Sequence, residues 1–219
     1  VPVETRVIRL TEDGFVFDVY QWNEDGTDAD LLESRTSTKV EVTVDGETFE
    51  HEIPSRLQCR MCHESQEPRI IGFDELRLNY ALPGHDKSQL EELAESGVIS
   101  HLSDAPLAIE EEDPLTLGVL GYLQGNCVHC HNGGDGVNSA FSMDYRVAVA
   151  NLVGVDTTSE LLSGLRVKAG APEESALFLA LSANPESTTS QPMPPVGVQR
   201  VDAEAVQMVE EWILSLDAQ

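Results

Sequence analysis

The apolar positions change rhythm once along the chain. Up to about residue 52 they recur at short, strand-like intervals. Val3, Ile8 and Leu10 punctuate an extended segment that includes Arg6, and Phe15, Phe17 and Val19 alternate with smaller or polar residues. Val40, Val42 and Val44 share one face, and Asp45-Gly46 then predicts a tight turn before Phe49. Asn23 to Asp28 reads as a polar loop. Its carboxylates suggest calcium as an alternative, but it lacks the full helix-loop-helix calcium pattern.

Beyond residue 52 the spacing becomes helical. Leu90, Leu93 and Val98 predict a helix within Ser88 to Ile99, with Gly97 near its end. Asp113-Pro114 predicts the start of a helix carrying Leu117, Leu120 and Leu123. Pro172 opens another, with Leu177, Leu179 and Leu181 on or near its buried side. Asp202 is the expected N-cap of a last helix whose Val206, Val209, Trp212, Ile213 and Leu216 form its apolar face. The expected fold class is therefore mainly α, cytochrome c-like modules preceded by a small β-rich segment. The expected division is a β-rich segment at 1–52, a first module at 53–112 and a second at 113–219.

The chemistry sits in two short runs. Cys59-Arg60-Met61-Cys62-His63 and Cys127-Val128-His129-Cys130-His131 account for all four cysteines. Each run matches the Cys-x-x-Cys-His pattern of c-type haem attachment, in which two thioethers tether the porphyrin and the histidine ligates iron. Two covalently attached haem c groups are the expected cofactors, with His63 and His131 as proximal ligands. A zinc ion on Cys59, Cys62, Cys127 and Cys130 is the alternative on count alone, and redox dithiols are another. The zinc site would leave both motif histidines without a role, and the adjacent histidine and the repetition weigh against the dithiol. His129, inside the second run, need not bind metal.

Distal ligands are less evenly marked. Gln191-Pro192-Met193-Pro194-Pro195 holds a thioether in a proline-bound loop, so Met193 is the expected distal ligand of the second haem. For the first haem His101 leads. His51, His85, Met143, Met208 and an open position remain as alternatives. That choice separates electron transfer from catalysis, because an open iron could bind peroxide or a nitrogen oxide. The carboxylates are too numerous for any one acid-base pairing to stand out.

Charge narrows the partners. There are 13 Lys and Arg against 39 Asp and Glu, a formal net charge of -26. Such a surface repels nucleic acid. It fits a salt-adapted host, an acidic extracytoplasmic protein, or selection of basic redox partners. No run of about 18 apolar residues suggests a membrane span, and no signal-like segment opens the chain. Because haem c is normally attached outside the cytoplasm, the motifs predict a periplasmic or cell-surface location. The expectation is that an export signal or anchor is missing from this chain. Membrane attachment would then come only through that missing segment or a partner.

The order of motifs resembles a family of dihaem c-type cytochrome-like proteins, mainly uncharacterised bacterial ones. The resemblance runs through Glu4-Thr5-Arg6-Val7, Tyr20-Gln21-Trp22-Asn23, Thr27-Asp28-Ala29, Ile53-Pro54-Ser55-Arg56 and the first motif. It continues through Gly72-Phe73, Leu78-Asn79, Gln89-Leu90 and Gly121-Tyr122-Leu123-Gln124-Gly125-Asn126 into the second motif and Asn132-Gly133-Gly134. Met193-Pro194-Pro195, Asp202 and Trp212-Ile213 complete it. The second half is also similar to small monohaem cytochromes c with a methionine ligand. The resemblance implies two haems and a chain that is part of a longer redox protein or assembly. The expected function is single-electron transfer between protein redox partners. The alternatives are a dihaem peroxidase or related small-molecule reductase, and a redox-sensing or structural unit.

Overall fold

The computed structural model describes residues 2–44, 46–65, 69–100, 102, 104, 107–134, 141–159, 161–184 and 192–217. Asp45, His101 and Gln191 lie outside the described residues.

The first half is built on two antiparallel sheets. Strands β1 (Glu4–Thr11), β2 (Gly14–Trp22) and β3 (Ala29–Leu31) form one in the order β1-β2-β3. Strands β4 (Thr38–Val44) and β5 (Glu47–Ile53) form a second, two-stranded sheet. Arg9 pairs with Val16 and Thr11 with Gly14 across the first hairpin. Val42 faces Phe49, and Val44 faces Glu47 across the second. Gly46 in that turn has φ +84°, a left-handed conformation that costs glycine little. The loop at 23–28 closes on itself. Asn23 Oδ1 accepts from Thr27 N at 3.0 Å, and Asp25 Oδ1 accepts from the same N–H at 2.9 Å.

The helices follow. They are α1 (Arg56–His63), α2 (Glu75–Leu78), α3 (Gln89–Glu95), α4 (Pro114–Asn126), α5 (Ala148–Leu152), α6 (Ala176–Ser182) and α7 (Ala203–Ser215), with a 3-10 turn at Pro172–Glu174. Ser88 caps α3, Asp113 caps α4 and Asp202 caps α7, each side chain accepting a backbone N–H of the first turn. Helix α3 stops at Glu95. Gly97, at φ +72°, donates to the Ala94 carbonyl at 3.1 Å just past its end.

The expected class, mainly α with a small β-rich preface, is overturned. Among the described residues five strands in two antiparallel sheets stand beside seven α-helices, and the larger sheet is a working layer. The middle of β2 is buried on both faces, at Phe17, Asp18 and Val19. Strict alternation would put Asp18 in water. Instead its carboxylate accepts from Arg9 Nη2 at 2.6 Å and lies 3.2 Å from Arg56 Nη2 at the start of α1. A buried acid is held by paired guanidinium groups, and β2 thereby docks against the helix bearing the first motif.

The main apolar core belongs to the second half. Val119, Leu120 and Leu123 of α4 meet Val209, Trp212 and Ile213 of α7, with Leu152, Val167, Leu177 and Leu181 around them. Gly118 permits the close crossing of α4 and α7, since a Cβ there would stand 3.0 Å from Met208 Sδ. On α6 it is Leu177, Ala180 and Leu181 that turn inward, while Leu179 is only half-buried. The halves are tied by the segment before α7. Gln199 Nε2 donates to Glu52 Oε2 at 2.9 Å, and Arg200 pairs with Glu47 at 2.9 Å.

Candidate functional site

The first motif lies wholly within α1. A capping box starts this helix, with Ser55 N donating to Gln58 Oε1 and Gln58 N to Ser55 Oγ. Cys59, Cys62 and His63 then fall at i, i+3 and i+4, one face of the helix. The His63 ring packs against Phe17 with centroids 5.5 Å apart. Its Nδ1 is 2.8 Å from the Arg69 carbonyl, which makes Nδ1 the donor and turns the ring's other nitrogen, Nε2, away from that bond. Arg69 in turn lies over the Phe15 ring at 5.4 Å.

The second motif is a turn added to the end of α4. Cys127 N donates to Leu123 O at 2.9 Å, and His131 N donates to Cys127 O at 2.8 Å. His131 packs on Phe141 with centroids 4.9 Å apart, and the Arg166 guanidinium lies 3.8 Å from the Phe141 centroid. Here the imidazole Nδ1 is buried with no hydrogen-bond partner. Burial lowers the His131 pKa and favours the neutral ring.

The two motifs meet. Ser65 Oγ stands 2.8 Å from the carbonyls of both Cys62 and His129. Asn132 Nδ2 donates to Ser65 O at 2.8 Å and reaches His129 O at 3.3 Å. Cys130 Sγ lies 3.9 Å from Met61 O. As a result Cys62, His129 and Cys130 bring one donor atom each within 4.8 Å of one another. The hydrogen bond from Cys62 holds the Cys130 thiol well below its ordinary range and pushes Cys62 up. Burial pushes Cys127 up to about 12 and also raises Cys59. No disulfide links the four cysteines, and each is half-buried.

The other named residues scatter. Cys59 and Cys127 stay outside the Cys62–His129–Cys130 group, so a four-cysteine zinc cluster is not what the fold assembles. Met193 is half-buried, and its N–H donates to Ala180 O at the end of α6 at 3.0 Å. His51 Nε2 is 3.0 Å from Glu4, and His85 Nδ1 is 2.7 Å from Glu92. Met143 is core, its N–H bonded to His131 O at 2.7 Å, and Met208 fills the α4–α7 crossing.

Ser65 and Arg69 are not singled out by the sequence, Phe17 and Asn132 enter it only as a strand position and as part of the resemblance, and His129 is set aside there. Only the polar residues just after each motif, Ser65 and Asn132, carried any local hint. Comparison with protein-family models, with curated proteins and with solved structures gives no match. The site's own chemistry therefore has to carry the functional argument.

Proposed function

We propose that the chain carries two covalently attached haem c groups and passes single electrons between extracytoplasmic protein partners, in the manner of the dihaem c-type cytochrome-like proteins it resembles. The observation that carries this reading is the convergence of both Cys-x-x-Cys-His runs on one brace, Ser65 Oγ at 2.8 Å from a carbonyl of each.

The residues fit the group. Four thiols outside any disulfide would supply the thioethers. His63 has its Nδ1 held by a carbonyl, the arrangement metal-bound imidazoles use. When bound, each iron supplies a one-electron Fe(II)/Fe(III) couple whose potential follows its ligands, burial and nearby charge. His63 and His131 would hold the two groups on the proximal side. Met193 would raise the potential of the second, and the many carboxylates would lower both. The acidic surface favours basic partners and higher salt.

One observation favours a second reading. Among the described histidines outside the motifs, His51 and His85 are each engaged by a carboxylate. A first haem without a distal histidine would be open to small ligands, as in a dihaem peroxidase or related reductase.

The test uses the chain produced with a c-type haem attachment system. Intact mass should show two haems. Optical and electron paramagnetic resonance spectra in both redox states, with and without cyanide, then separate the readings. Two low-spin centres indifferent to cyanide support electron transfer. A high-spin centre that takes cyanide moves peroxide turnover to the front. A chain that acquires no haem ends both. Met193→Ala should change the spectrum and potential of one haem only, and an unchanged spectrum removes Met193 as a ligand.

A further inference from the structure

Cys62 and Cys130 belong to different motifs, yet their sulfurs face each other with the His129 imidazole alongside, all three donors within 4.8 Å. In a tetrahedral zinc site, with Zn–S about 2.3 Å and Zn–N about 2.0 Å, donors stand roughly 3.5 Å apart. Small side-chain rotations are enough to close this set on an ion. Two sulfurs and one imidazole are the Cys2His set that zinc accepts with a fourth position open. The His129 side chain hydrogen-bonds to Cys130, so the imidazole already presents a nitrogen to the sulfur pair. The brace of Ser65 and Asn132 fixes the backbones that carry all three residues. The strongly negative chain also concentrates cations around itself.

We propose that the haem-free chain binds one zinc-type d10 cation on Cys62, His129 and Cys130, and that this ion competes with haem attachment for the same two sulfurs. The competition rests on the dihaem reading; the metal site does not. Zinc takes thiolates, so loading releases thiol protons to solvent. Once a sulfur adds to a porphyrin vinyl group, its proton passes to the vinyl carbon and the sulfur becomes a neutral thioether, a far poorer zinc ligand. Metal binding is therefore confined to the haem-free chain. There it clamps α1 to the turn after α4 and stabilises that fold by mass action.

The experiment titrates Zn2+ into reduced, haem-free chain against a chromophoric chelator, with Co2+ as the spectroscopic probe. The expected result is one equivalent bound, with thiolate-to-cobalt charge-transfer absorption. His129→Ala, His129→Gln and Cys130→Ser should each weaken binding by at least about tenfold. Cys59→Ser and Cys127→Ser should leave it unchanged. Far-UV circular dichroism identifies any variant that fails to fold, and two His129 substitutions keep the test alive if one does. Absence of the thiolate–cobalt band, indifference to both His129 variants, or equal loss in Cys59→Ser overturns the site.

Haem loading is scored separately by intact mass. If the zinc-free chain takes two haems, added Zn2+ should lower haem occupancy, and His129→Ala should restore it. Unaltered occupancy overturns the competition. A chain that binds zinc as described but never acquires haem ends the dihaem reading and leaves the metal site standing. Two haems with no zinc binding does the reverse.

Discussion

The two motifs occupy unlike ground. The first rests on an eight-residue helix against a small sheet, with Phe17, Val19, Ile53, Leu78 and Leu90 as its buried apolar residues. The second ends a thirteen-residue helix inside the main core. The first histidine has its ring nitrogen held by a carbonyl, and the second is buried with that nitrogen unpartnered. One half is thus well oriented but thinly packed, and the other is well packed but less well oriented. In the first half, a bound group would contribute more to folding. In the second, the protein already supplies the core.

The largest expected effect breaks this contrast directly. Replacing Cys59 and Cys62 with serine in the haem-loaded chain should abolish most hydrogen-exchange protection across α1 to α3. The matching change at Cys127 and Cys130 should leave α4 and α7 largely protected. Equal losses in the two variants would remove the asymmetry.

Next in size is the core itself. Trp212→Ala should cost about 3–5 kcal/mol, read from denaturant unfolding. Trp212→Phe should cost much less, because the indole N–H is buried without a partner and its removal relieves that penalty. A phenylalanine variant as damaged as the alanine one would mean that the indole finds a partner in solution.

A smaller effect is expected at Asp18, which anchors β2 to α1. Asp18→Ala should lower the unfolding midpoint less than Trp212→Ala does. Its partners Arg9 and Arg56 are 55% and 38% exposed and can rehydrate. A double-mutant cycle with Arg56→Ala isolates the tie, and zero coupling would show that β2 docks through Phe17 alone.

The smallest effect is a pH response at the seam. Hydrogen bonds from Ser37 first, then Gln58 and Gln199, hold the Glu52 carboxyl below the usual carboxylate range. A carboxylate with a lowered folded pKa stabilises fully above its unfolded pKa, about 4.3, and loses that contribution as pH falls through the folded value. Acidification below about pH 4 should therefore loosen the segment around Gln199, detectable by limited proteolysis with an acid-active protease. Glu52→Gln should flatten that dependence.

Much of the local structure was legible. Period-two apolar positions marked the paired strands, and Asp113, Asp202 and Ser88 marked helix starts because capping is a local transaction. The weight of the sheet was misjudged because Asp18 reads as an outward polar residue, and only two distant arginines make its burial tolerable. The role of His129 was hidden for the same reason. It occupies a variable place in its own motif, and its neighbours come from the other one. Spacing reports what a segment does with itself, and these residues act on segments far away.

The bonds from Glu52 to Gln199 and from Glu47 to Arg200 join positions 147 and 153 residues apart. Closing so long a loop carries an entropic cost that shorter contacts avoid. During synthesis Gln199 and Arg200 emerge long after Glu47 and Glu52, so the second hairpin can pair before this seam closes. The first Cys-x-x-Cys-His run, which begins six residues after β5 ends, is likewise made well before the residues that close the seam. The long seam thus acts as a clock, separating a period when the first half stands alone from a period when the second half is tied to it.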